Sequence, residues 1–150
     1  LILLGPGNLY TSLLPTLLVP ELVGAIQRSR APKVGICHLM TQPGEADGLC
    51  VVGHRGAIEA RLANGGISQK LFSAVLAQDD LGQSPLVQRY QDQGAEPVHC
   101  DSRVLIAKGY EVMKAPLQGA RRPQATLRHD PRSLALAVMR FYRNYKRNAQ

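Results

Sequence analysis

A glycine-containing loop near the start of the chain is the first candidate for chemistry. Two glycines and several polar residues follow the aliphatic run at residues 1–4. Glycine lets a backbone approach a ligand, and a helix that follows offers free N–H groups to an anion. The spacing matches neither a dinucleotide-binding fingerprint nor a Walker A motif, so an ordinary turn between strand and helix is the alternative. The candidate ligand-binding residues here are Gly5, Gly7, Asn8, Tyr10, Thr11 and Ser12.

A second polar loop follows the apolar segment at residues 31–40. Thr41, Gln42 and Glu45 supply a hydroxyl, an amide and a carboxylate. In an open α/β sheet, ligands bind beyond the carboxyl ends of the strands. We therefore expect the two loops to face one crevice. The alternative is that Thr41 or Glu45 only caps a helix.

Arg128 lies just before the last predicted helix, in the sequence Arg128-His129-Asp130-Pro131. A helix amino terminus attracts anions, and a guanidinium group offers paired donors to phosphate. Arg128 is thus a candidate phosphate contact. The alternative is a surface arginine beside a capping aspartate.

Other patterns of reactive residues leave the catalytic residues unassigned. His38, His54 and His99 lack the spacing of zinc ligands, so the sequence predicts no metal site. No serine lies in a nucleophile elbow. The three cysteines are widely spaced and form no CxxC pair, which favours neither a zinc ribbon nor a disulfide framework. Cys37 is predicted to be a small core residue.

Strands alternate with helices along the chain. Predicted strands lie at 1–4, 31–40, 71–78, 96–100 and 110–117. Predicted helices lie at 21–30, 54–64, 85–93 and 130–146, the last with Asp130 as its N-cap and Pro131 at its first position. This alternation predicts an α/β class with a mainly parallel sheet and flanking helices. A length of 150 residues predicts a single domain over residues 1–150.

The positive charge is concentrated in the last fifth of the chain. Residues 121–150 hold eight lysines and arginines against one aspartate, which accounts for the whole net charge of +7. A neutral body argues against a nucleic-acid-binding surface spread over the domain. The basic segment instead predicts a local anion site, a docking helix for an acidic partner, or a solvated helix face. No apolar run is long enough to predict a membrane span.

Five motifs in a fixed order are more specific than these patterns. LGPGNLYTSLLP, CHLMTQPGEADG, GHRGAIEA, YQDQGAEPVHCD and LRHDP together resemble the gluconeogenesis factor family of the YvcK type, within the CofD-like superfamily. The resemblance covers essentially all 150 residues. It implies a Rossmann-like fold, of which this chain would be the carboxy-terminal half, preceded by a half with a glycine-rich loop.

The resemblance also implies a function. Members of the YvcK branch are similar to cytoplasmic UDP-sugar-binding regulators of carbon use, cell-wall precursor supply and cell shape in bacteria. The partner would be a nucleotide-sugar, with no other cofactor assigned, and a homo-oligomer is allowed. The CofD branch implies the alternative, a transferase of a phospholactyl group to a deazaflavin precursor. Whether this chain catalyses a reaction stays open, and the motif forms favour a binding protein.

Carried over by position, Tyr90 and Arg128 look like nucleotide-sugar contacts, to a base or sugar and to the diphosphate respectively. The two polar loops would line the same crevice. The chain departs from the usual family pattern at four positions: Asn8 for Ser, His38 for Asn, Ala46 for Thr and Gly53 for Asp. The loss of polar groups near one loop bears on which ligand is bound.

Overall fold

The computed structural model describes residues 1–44, 51–64, 70–119 and 126–148. In these residues it has four strands: β1 (Ile2–Leu4), β2 (Lys33–Ile36), β3 (Ala74–Gln78) and β4 (Glu111–Ala115). A π-helical turn (Leu9–Leu13) leads into the first of six α-helices, which are α1 (Leu14–Thr16), α2 (Pro20–Arg28), α3 (Val51–Asn64), α4 (Pro85–Gln91), α5 (Ser102–Ala107) and α6 (Pro131–Asn148).

The four strands form one parallel sheet in the order β1-β2-β3-β4. Leu3 lies beside Val34, and Leu76 lies between Ile36 and Met113. Helices connect the strands, as parallel pairing requires. The predicted α/β class with a parallel sheet is confirmed, and the carboxyl ends of all four strands lie at one edge.

Each face of the sheet is covered by its own apolar cluster. In β3, Val75 belongs to the cluster that also contains Val23 of α2 and Leu105 of α5. Its neighbour Leu76 belongs to the opposite cluster, with Phe141 of α6. Side chains alternate between the faces of a strand, so a strand covered on both sides is apolar throughout. Burial of one such leucine stabilises the fold by about 1.5–3 kcal/mol.

The structure differs from the predicted strands at 31–40 and 96–100. The segment at 31–40 forms a strand only over Lys33–Ile36. Beyond it the backbone turns to meet the segment that begins at Glu96: Val98 N–H donates to the Leu39 carbonyl at 3.0 Å. The predicted strand at 96–100 is wrong, because this contact is a single bridge between Met40 and Pro97. Proline has no N–H with which to extend a ladder.

The last helix was predicted correctly from its N-cap, whereas a helix with a similar cap was missed. The last helix begins at Pro131 as predicted and extends to Asn148, with the carboxylate of Asp130 accepting from Ser133 N–H at 2.7 Å. Val138 and Phe141 are buried, so α6 belongs to the core although its cations are exposed. Helix α5 was not predicted, despite an N-cap of the same kind at Asp101.

Gly35 in the middle of β2 makes room for an aromatic ring. A Cβ atom at this position would lie 2.9 Å from Cε2 of Phe72. The Phe72 ring in turn packs against Tyr110, with ring centroids 5.7 Å apart. The glycine therefore lets the residues before β3 pack closely on β2.

No single helix in the described ranges has the length and apolar content of a membrane span. The two segments Leu9–Thr16 and Pro20–Arg28 reach that composition only as a pair, across a bend of 74°.

Candidate functional site

An open cavity of about 440 Å³ lies at the carboxyl end of β1 and β2. Four segments border it: the glycine loop, the loop after β2, helix α4 and the segment that precedes α6. Its lining residues are Pro6, Gly7, Asn8, His38, Leu39, Met40, Thr41, Gln42, Tyr90, Leu127, Arg128 and His129. Ligands of open α/β sheets bind beyond the carboxyl ends of the strands, which is where this cavity lies.

Gly5 sets the path of the glycine loop. Its φ is +97°, a conformation that favours glycine, and a Cβ atom there would lie 2.9 Å from the carbonyl oxygen of Ile36. No other residue type fits this close approach without a shift of the backbone. The loop is therefore held against the end of β2, and Gly7 and Asn8 reach the cavity.

Asn8 closes the start of the π-helical turn with its own side chain. Its Oδ1 accepts from Tyr10 N–H at 3.1 Å and from Thr11 N–H at 3.3 Å. These are two of the N–H groups that the sequence predicted for an anion. Tyr10, Thr11 and Ser12 are exposed, and neither they nor Gly5 lines the cavity. The structure thus brings Gly7 and Asn8 to the cavity and leaves the other four candidates of this loop outside it.

In the second loop, Thr41 is buried and fastens the loop in place. Its Oγ1 accepts from Glu96 N–H at 2.8 Å, and its own N–H donates to the Glu96 carbonyl at 2.7 Å. Gln42 is exposed and lines the cavity. Glu45 lies outside the described residues. Of the two described candidates, Gln42 has the side chain more accessible to a ligand, while Thr41 supports the wall.

Tyr90 extends from α4 to the segment that carries Arg128. Its side chain is half-buried against the core, and its Oη accepts from Leu127 N–H at 3.1 Å. A tyrosine hydroxyl that accepts one hydrogen bond still has its own proton to donate. Tyr90 therefore positions the neighbouring segment as well as lining the cavity, a role that its motif did not indicate.

The segment that carries Arg128 is held by backbone pairing. Gly119 N–H donates to the Arg128 carbonyl at 3.1 Å, and Asp130 N–H donates to the Leu117 carbonyl at 2.7 Å. The guanidinium of Arg128 is exposed and lines the cavity. Hydrogen bonds from Ser133 to the Asp130 carboxylate lower the pKa of that group. Asp130 thus caps α6, while Arg128 remains directed at solvent and the cavity.

Two histidines link the walls of the cavity. His129 donates from Nε2 to the Cys37 carbonyl at 2.9 Å, and His38 donates from Nε2 to the Gly7 carbonyl. Burial lowers the pKa of His129, and the nearby His38 lowers it further. No local pattern in the sequence indicates this pair. The two residues are 91 positions apart, at the end of β2 and before α6, and only the sheet brings them together.

The described residues contain no group of three or more His, Cys, Asp or Glu that could hold a metal ion. Burial, with a contribution from Cys100, raises the pKa of the Cys37 thiol well above its usual range. A protonated thiol is a poor nucleophile. Among the described residues that line the cavity, Arg128 is the one with a permanent charge.

Comparison with known proteins gives a consistent result. The family model described as 2-phospho-L-lactate transferase CofD matches residues 1–118. A Halalkalibacterium halodurans protein named gluconeogenesis factor is 40% identical over 72% of this chain and 32% of its own length. The Bacillus subtilis gluconeogenesis factor is 34% identical over 90% of this chain and 40% of its own length.

A crystal structure of a Bacillus halodurans protein superposes with a TM-score of 0.81 and 33% identity, over 92% of this chain and 42% of that one. The chain spans 24% to 44% of the length of the curated relatives that it matches.

Proposed function

This chain belongs to the CofD family, and from that membership and the cavity we propose that it binds a phosphate-bearing nucleotide, in the first place a UDP-sugar. The observation that carries the proposal is the position of Arg128 on the wall of the cavity. Among the described lining residues it is the one with a permanent charge, and none is acidic. A guanidinium without a facing carboxylate is suited to a diphosphate.

The other residues that line the cavity support the same ligand class. Gly7 brings bare backbone to the cavity, while Asn8 and Gln42 add polar groups. Tyr90, Leu39 and Met40 add aromatic and apolar surface on which a base or a sugar ring can lie. The lining therefore offers both polar groups and apolar surface, as a nucleotide-sugar requires.

The proposed biological role follows from the relatives. Proteins named gluconeogenesis factor are 34% and 40% identical to this chain over 90% and 72% of its length. We infer that the chain is part of a cytoplasmic regulator of carbon use, cell-wall precursor supply and cell shape, with ligand occupancy as its signal. In this proposal the protein binds its ligand without converting it to a product. A homo-oligomer is compatible with this role.

Calorimetric titration with UDP-N-acetylglucosamine tests the ligand. We expect saturable binding, weakened about tenfold or more in Arg128→Ala, because a charge-assisted bond contributes about 1.5–3 kcal/mol. Arg132→Ala is the matched control, since Arg132 is exposed on α6 and does not line the cavity. Absence of binding at millimolar ligand, or equal weakening by both variants, contradicts the proposal.

The description of the matching family model favours a second candidate, transfer of a phospholactyl group to a deazaflavin precursor. The reaction would need groups to activate the acceptor, and we propose that they lie outside this chain. Incubation of a full-length protein that contains this chain with nucleotide-activated phospholactate and the acceptor tests this. Formation of the phospholactyl product would favour the transferase over the regulator.

A further inference from the structure

One histidine at the cavity, His129, can gain a proton without losing its hydrogen bond to the backbone. His38 and His129 each donate an Nε2–H to a backbone carbonyl, of Gly7 and Cys37 respectively. A carbonyl oxygen can only accept, so Nε2 carries a proton in both rings. A second proton on the His129 ring goes to Nδ1 and leaves the Nε2–H bond in place. His129 can therefore become charged while the walls that the two rings link stay fixed.

The charge of His129 is sensitive to what occupies the cavity. Burial and the neighbouring His38 lower the pKa of His129 by more than its hydrogen bond to the Cys37 carbonyl raises it, so the neutral ring is favoured without an anion. Arg128 adds a positive charge on the same wall. An anion bound beside Arg128 and His129 would favour protonation of His129, because opposite charge stabilises the imidazolium form.

Among the described residues, few other groups near His129 can oppose this effect. Asp130, two residues beyond Arg128, is hydrogen-bonded to Ser133 at the start of α6. Glu96 lies across from Thr41, and its main chain forms the contact there. The pKa of the Cys37 thiol is raised, so it stays neutral. Tyr90 is the titratable group that α4 contributes, and its hydroxyl accepts from Leu127. Residues 5–8 contribute none.

We propose that this cavity binds its anion together with a proton, which His129 takes up. The proposal rests on the proposed function for the phosphate-bearing nature of the ligand. It makes the affinity rise as the pH falls.

Binding measured as a function of pH tests the coupling. UDP-N-acetylglucosamine and sulfate are suitable probes because their anionic groups keep a constant charge between about pH 8 and pH 6, where histidine titrates. We expect the affinity for both to rise as the pH falls, by up to about tenfold per pH unit for one linked proton. Calorimetry in two buffers of different ionisation enthalpy should detect uptake of protons on binding.

Substitution assigns the proton to His129. His129→Gln keeps an N–H donor at the position of Nε2 for the Cys37 carbonyl and removes the ring, so it should bind with no pH dependence. His99→Gln is the matched control, because His99 is exposed and outside this cavity, and it should keep the wild-type slope. Circular dichroism at each pH establishes that every variant is folded.

The outcomes separate this inference from the proposed function. Sulfate binding with proton uptake, but no binding of UDP-N-acetylglucosamine, supports the coupled anion site and removes the nucleotide-sugar. Binding of UDP-N-acetylglucosamine with a flat pH profile supports the nucleotide-sugar and overturns the coupling. A slope that persists in folded His129→Gln also overturns it, because the proton would then reside elsewhere.

Discussion

Two cavities of nearly equal volume differ in how their walls are built. The cavity at the ends of β1 and β2 measures about 440 Å³, and the groove between β4 and α6 measures about 430 Å³. Side chains of Asn8, Thr41, Tyr90 and two histidines fix the first by hydrogen bonds to the backbone. The second is bordered by Glu111 and Lys114 of the strand and by apolar and basic residues of the helix.

The difference shows that volume alone does not identify a site. In the groove, charges of both signs are exposed, and Leu136 is 60% exposed to solvent. Its floor is Phe141, which belongs to the core beneath α6. In the first cavity, backbone-anchored side chains converge from four segments far apart in the sequence. Such anchoring is what holds ligand-binding groups in place before a ligand arrives.

The largest expected effect is a loss of stability that leaves ligand affinity unchanged. Phe141→Ala removes a buried ring from the groove floor and should lower the free energy of unfolding by about 3–5 kcal/mol. Because Phe141 does not line the first cavity, the affinity of the folded fraction for UDP-N-acetylglucosamine should stay unchanged. Urea denaturation and calorimetry at low temperature measure the two quantities. Phe141→Leu, which keeps most of the volume, is the milder companion; a loss of affinity in it would mean that the two regions are coupled.

Gly5→Ala should affect stability and binding together. A side chain at φ +97°, close to the Ile36 carbonyl, should cost about 1–3 kcal/mol and displace the loop that carries Gly7. Affinity should fall with it. Gly56→Ala in α3 is the control, since nothing lies within 4 Å of a Cβ there, and alanine favours a helix. Wild-type affinity in Gly5→Ala would refute the idea that this loop forms part of the site.

Tyr90→Phe should have a smaller effect and should act on binding through Arg128. The variant keeps the ring but loses the acceptor for Leu127 N–H, which contributes about 1 kcal/mol to stability. We expect affinity to fall several-fold as the segment loosens, while the double variant with Arg128→Ala should be no weaker than Arg128→Ala alone. Tyr10→Phe is the matched control, because Tyr10 is exposed outside the cavity. Full additivity of the two substitutions would contradict a positioning role.

Asp130→Asn should have the smallest effect, a change in stability that is limited to acidic pH. The hydrogen bonds from Ser133 lower the pKa of Asp130 in the folded state. Its contribution to stability is therefore complete above the ordinary carboxyl pKa and is lost as the pH falls through the lowered value. Asparagine also caps helices, so Asp130→Asn should flatten the acid limb of a plot of melting temperature against pH with little change at neutral pH. Asp92→Asn, which removes an equal charge at the end of α4, should leave the acid limb as in the wild type.

Local sequence patterns were sufficient to predict the start of α6 and the class of the fold. The start of α6 follows from an N-cap aspartate before a proline, and the α/β class follows from apolar runs that alternate with helical spacing. They were insufficient where a partner is distant. The apolar residues 37–40 predict a continued strand, yet Leu39 and Met40 are buried against the segment around Pro97 and not within the sheet.

The sequence by itself determined the class of fold, the family through its ordered motifs, and the two loops and one arginine among which a ligand was expected. The tertiary structure decided which of those residues reach the cavity. Asn8 caps its own turn, Thr41 bonds a residue 55 positions away, and His129 bonds one 92 positions away. The physical reason is that strand order sets which distant groups meet, and a buried polar group takes the nearest partner that the fold supplies.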